Sequence, residues 1–164
     1  MKIFLCWMML SVALYVLETS FLPLVFYRGT GPDLLLLMTV SFAFLKGKRL
    51  GAFMGFLLGL FEDLASGGFL GMNAFSNMLM GFGCGIFSNR VLRDSFVLPI
   101  AAACVSTVSV FLLYEIVLLL LGYGFYPLAH LKLRLLPMLF YNMIFAWPVH
   151  SLVHKADELV SEKK

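Results

Sequence analysis

Residues 50–74 read LGAFMGFLLGLFEDLASGGFLGMNA, and this stretch decides the fold. Gly51, Gly55 and Gly59 recur every fourth residue, so a helix carries them on one face. In a membrane, glycines at that spacing let two helices meet backbone to backbone. The run ends in the acidic pair Glu62-Asp63, passes a turn at Ser66-Gly67-Gly68 and resumes as a second apolar segment through Gly71 and Asn73. Carboxylates beside an apolar zone are costly and are kept for a reason. A closely packed membrane protein with a polar spot follows from this reading, not a soluble enzyme.

Composition agrees. The 164 residues are 62% hydrophobic and 13% charged, against about 25% charged in a soluble domain. Mean hydropathy is +0.97. At about 20 residues per span there is room for five or six spans and none for a separate soluble domain. The expectation is one integral membrane domain over 1–164, an all-α polytopic bundle of about six transmembrane helices. The first segment has one Lys, a long apolar run and no Ala-x-Ala-like site, so it is expected to stay as a span rather than to be cleaved.

Six apolar segments can be drawn, 3–22, 33–45, 51–64, 69–88, 96–122 and 133–153. The second and third are short. Residues 33–45 give about 20 Å of helix against a hydrocarbon core of about 30 Å. Such a segment survives where neighbouring protein covers its ends, or as half of a re-entrant hairpin. Pro32 suits a helix start and Asp33 suits its positive end. Residues 122–134, GYGFYPLAHLKLR, are amphipathic and aromatic, which places them at the membrane surface.

Six spans put Lys2, Lys46, Lys48, Arg49, Arg90, Arg93, Lys155, Lys163 and Lys164 on one side. Arg28, Lys132 and Arg134 fall on the other. The basic side faces the cytoplasm, and so do both termini. The charged tail from Lys155 reads as a fraying helix end.

Intramembrane polar residues are the candidates for function. Glu18, Glu62, Asp63 and Glu115 offer an ion or proton path or a polar contact with a partner helix; the plain alternative is placement at the water interface. Asn73, Asn77 and Asn142 are the nearest neutral partners. The glycine face packs either within the chain or against a second copy. Gly81, Gly83 and Gly85 suggest a loosened helix. His150 and His154 share a helix face, yet no third ligand is near, so no metal site is assigned. Cys6, Cys84 and Cys104 have no ligand or disulfide spacing. There is no Walker A loop, GxSxG or HExxH, no catalytic or cofactor-binding residue is assigned, and no enzymatic activity is expected. The basic residues sit in short turns, which excludes a nucleic-acid surface.

Several runs resemble one family. They are Gly31-Pro32-Asp33 with the four leucines 34–37, the basic turn 46–49, the glycine helix 51–60, and EDLASGGFLGMNA at 62–74. Leu136-Pro137 and Tyr141-Asn142 also fit. Together they look like MreD, the rod shape-determining membrane protein, over nearly the whole chain. That resemblance implies a bacterial inner-membrane scaffold without catalysis or cofactor, which regulates side-wall peptidoglycan synthesis. Its implied partners are MreC directly, then MreB, RodA and a class B penicillin-binding protein through the complex. The family is also distantly similar in fold to the S components of energy-coupling-factor vitamin transporters, and fold does not fix function. An S-component-like vitamin uptake subunit is the alternative. Against it, the first span lacks a small-x3-small face of the kind those components use for docking.

Overall fold

In the computed structural model, residues 2–21, 31–67, 69–88, 97–122 and 130–161 are described. The described residues are helical apart from short turns and caps. The helices are α1 (Lys2–Val16), α2 (Leu34–Lys46), α3 (Lys48–Ser66), α4 (Met72–Ile86), α5 (Val97–Leu120) and α6 (Leu136–Ser161). A π-helical turn, Leu17–Phe21, extends α1, and another, Leu131–Leu135, leads into α6. The turn at Arg90–Asp94, the residues 22–30 and most of the surface loop, 123–129, lie outside the described residues.

The short second segment is the hub. Every residue from Leu34 to Phe44 is buried, and α2 packs against each of the other five helices. A helix buried on all sides must be apolar all round, which LLLLMTVSFAF satisfies. Leu35, Leu37, Met38 and Phe42 meet Trp7 and Leu14 of α1 and Ala146, Val149 and Val153 of α6. The Trp7 and Phe42 rings pack edge to face at 4.8 Å. On its other side Leu36, Val40 and Phe44 meet Met80 and Cys84 of α4 and Ala102 and Val110 of α5. Thirteen residues suffice for α2 because protein, not lipid, surrounds it.

A helix start buried among helices needs partners for its free N–H groups. Asp33 is the N-cap and accepts from Leu36 N at 2.8 Å. Glu18 Oε2 accepts from Leu34 N at 2.9 Å, and Asn142 Oδ1 accepts from Asp33 N at 2.8 Å.

At the opposite end, Lys46 pairs with Asp157 of α6. The α2–α3 turn therefore reaches the same end of the bundle as the last turns of α6. The charged tail is a helix end as read, with α6 continuing to Ser161, Asp157 paired with Lys46 and Ala156 against the core.

The outward faces are apolar. Phe53, Phe82, Val105, Leu112, Phe140 and Trp147 are all exposed. Such a surface suits lipid or a partner helix rather than water. Val97–Leu120 and the run Leu131–Leu159 are long and apolar enough to cross a membrane unaided.

Candidate functional site

Two constructions meet at the end of the bundle opposite Lys46. The first is the α3–α4 hairpin. An added Cβ on Gly51 would stand 2.7 Å from the Gly81 carbonyl oxygen, on Gly55 2.3 Å from that of Asn77, and on Gly59 2.2 Å from that of Asn73. From the other side, Gly81 meets the Gly51 backbone and Gly85 the Lys48 backbone. The glycine face is filled within the chain, which leaves it no room for a second copy. Gly81 and Gly85 are thus a docking stripe of their own, four residues apart, and the loosened-helix reading is corrected. Only Gly83 of that trio faces open space.

Asp63 closes the hairpin. Its carboxylate accepts from Gly71 N at 2.9 Å and from Asn73 N and Ala74 N at 3.1 Å each. The sequence suggests that Asp63 would bond the turn at Ser66–Gly68. Instead it reaches past that turn to the start of α4, where free N–H groups and the positive helix end attract a carboxylate. Left-handed glycines make the reversal possible, with φ of 64° at Gly67 and 97° at Gly71. Asp63 is buried, Asn73 and Gly71 are half-buried, and Ser66 and Gly67 are exposed.

The second construction is a group of carboxylates. Glu18 arrives from the π-helical turn after α1, Asp33 from the cap of α2 and Glu62 from the end of α3. One oxygen of each lies within 4.8 Å of the other two. They line a chamber of about 410 Å³ whose walls include Phe69, Phe111, Tyr114 and Met138, within the usual range of about 300–1,000 Å³ for small-molecule pockets. Arg134 also borders it and lies over the Tyr114 ring at 4.5 Å. Glu62 Oε2 is buried without a hydrogen bond, as is Asn77 Nδ2.

Asn142 supports the chamber from behind. Besides accepting from Asp33 N, it donates to Thr107 Oγ1 at 2.8 Å, and Thr107 donates to the Ala103 carbonyl at 2.7 Å. Glu115 stands apart from the cluster. It is buried and meets His130 Nδ1 at 2.8 Å, so its partner is a histidine rather than an asparagine. His154 pairs with Glu158 at 3.3 Å, one helical turn along α6. Cys6, Cys84 and Cys104 are free and half-buried.

Sequence reasoning found Glu18, Glu62 and Asp63 singly, but not the meeting of Glu18 and Glu62 with Asp33. Nothing local signals it, because the three residues come from three helices. Thr107 was also missed, and Gly81 and Gly85 were read as loosening the helix although their four-residue spacing is visible in the chain.

No curated protein and no solved structure gives a match. Residues 1–155 match the family described as rod shape-determining protein MreD. With nearly the whole chain covered, the protein belongs to the MreD family and has a role in rod-shape determination.

Proposed function

We propose that this chain is a non-enzymatic scaffold of the rod-shape complex in the cytoplasmic membrane, with both termini inside. It forms one membrane domain that binds MreC directly and reaches MreB, RodA and a class B penicillin-binding protein through it. In that role it supports side-wall peptidoglycan synthesis without a reaction of its own. The observation that carries the reading is the family match over 1–155. The glycine seam supports it, because α3 and α4 are locked by main-chain contact and serve as a rigid mount rather than a moving part.

The partner would meet a different surface from the one the glycines suggest, since Gly51, Gly55 and Gly59 are buried against α2 and α4. The exposed apolar faces of α1, α3, α4, α5 and α6 are the available ground for a partner helix. Complementation tests the role. Rod-shaped cells depleted of this chain should become round, and the wild-type chain should restore rods. Rods that persist without it would contradict the proposal.

One observation favours the second reading. The chamber of about 410 Å³ could hold a small molecule, as an S-component-like subunit would require. Recovery of a coupling subunit and ATPase with this chain would favour that reading.

A further inference from the structure

We infer that Glu115 and His130 form a pH-sensitive clasp, which holds the segment Leu131–Leu135 against α5 as one wall of the chamber. Glu115 lies in the second half of α5 and is buried. A carboxylate taken out of water needs a partner. It meets His130 Nδ1 at 2.8 Å. The two sides of the pair differ in their access to water. The Glu115 side chain is 9% exposed, that of His130 38%. A proton therefore enters and leaves the pair through the histidine, from the surface, while the acid stays inside.

A second contact lies in register with the first. Arg134, four residues after His130, lies over the ring of Tyr114, which directly precedes Glu115. Tyr114 and Arg134 both line the chamber, as does Met138 in the first turn of α6. Leu131, Lys132, Leu133 and Arg134 are exposed, and only Leu135 of the segment is buried. The segment is thus held by two polar contacts and one leucine rather than by a broad apolar footprint. It is also wound as a π-helical turn, a rare form that is frequent at functional sites. Releasing His130 takes away one of its three holds and frees this wall of the chamber.

The sign of the pH response follows from the donor. Histidine is the side chain that changes charge between pH 5 and 8. As an imidazolium it carries protons on both ring nitrogens, and Nδ1 donates to Glu115 Oε1 in a charge-assisted bond. Loss of one proton removes the positive charge and leaves a neutral pairing at best. The clasp is therefore tightest at low pH and weakens as the pH rises. Other titratable groups are Tyr114 on α5, Lys132 and Arg134 on the segment, and Tyr141 in the first turns of α6. Glu18, Asp33, Glu62 and Asp63 line the same chamber as Arg134. Substituting His130 separates its titration from all of theirs. The clasp stands on contacts within this chain and does not depend on which partner the protein meets.

The test uses the full-length chain in detergent, with Cys6, Cys84 and Cys104 replaced. Leu133→Cys carries a nitroxide spin label, and Val97→Cys, at the far end of α5, carries it in a reference sample. Spectra are recorded at about pH 5.5 and about pH 8, on either side of the histidine range. The expected result at Leu133 is a ratio of mobile to immobile label about fivefold higher at the upper pH, the difference between a charged and a neutral hydrogen bond. The Val97 label should not change. His130→Gln should leave the Leu133 label mobile at both pH values. Size-exclusion chromatography shows whether that variant is folded; if it is not, Glu115→Gln takes its place, since loss of the buried charge should flatten the response in the same way. A Leu133 spectrum that is the same at both pH values in the folded parent would overturn the clasp. So would a response that survives the substitution, or one shared by the Val97 label.

Discussion

Gly59 and Asn73 touch through their main chains: a Cβ on Gly59 would lie 2.2 Å from the Asn73 carbonyl oxygen. Gly55 and Asn77 repeat the relationship one turn away, at 2.3 Å. No rotamer relieves a clash with backbone, so a side chain here must part α3 from α4. Gly55→Ala should cost about 1–3 kcal/mol, and Gly55→Leu should abolish folding or assembly. Gly83 faces open space on the same hairpin, so Gly83→Ala should not lower thermal stability. Unfolding in detergent reads all three. A Gly55→Leu chain that folds and assembles normally would show that the seam is not closed.

Asp63 makes three hydrogen bonds to the first N–H groups of α4 from a buried position. Asp63→Ala removes all three and leaves those donors without partners. The expected loss is about 2–4 kcal/mol, above a surface cap because the site is buried. Asp63→Asn keeps one acceptor oxygen and should fall between Ala and wild type. Thermal unfolding and protease sensitivity at the Ser66–Met72 turn measure the loss. Wild-type stability in Asp63→Ala would remove Asp63 as the clasp of the hairpin.

Much of this was legible because membrane packing writes short-range rules into sequence. Gly51, Gly55 and Gly59 announce close approach by spacing alone, and Pro32-Asp33 announces a helix start. What they touch was not legible. The glycine face reads the same whether it meets α4 or another chain, and its matching stripe was hidden by Gly83, which breaks the apparent spacing of Gly81 and Gly85. Glu115 gave no hint of His130, because the pair depends on where the segment before α6 settles. Glu18 meets the start of α2 from a π-helical turn, and Asp33 looked like a cap and nothing more. The acidic cluster is a tertiary fact that no single helix encodes.

The proposed orientation rests on charge. The Lys46 end of the bundle also carries Lys48, Arg49 and Lys155, whereas the opposite end carries Lys132 and Arg134. With Cys6, Cys84 and Cys104 replaced, Lys155→Cys should react with a membrane-impermeant thiol reagent only after cells are opened. Arg134→Cys should react in intact, outer-membrane-permeabilised cells. The reverse pattern would invert the topology and place the carboxylate chamber on the inner face.

The account's central claim is that this MreD-family chain serves as a scaffold that holds MreC. The most direct measurement is purification of the tagged chain from its native host in a gentle detergent, with every co-purifying protein identified by mass spectrometry. The account predicts MreC in stoichiometric yield, with or without the RodA synthase. A paired ATPase and coupling subunit in place of MreC would contradict it.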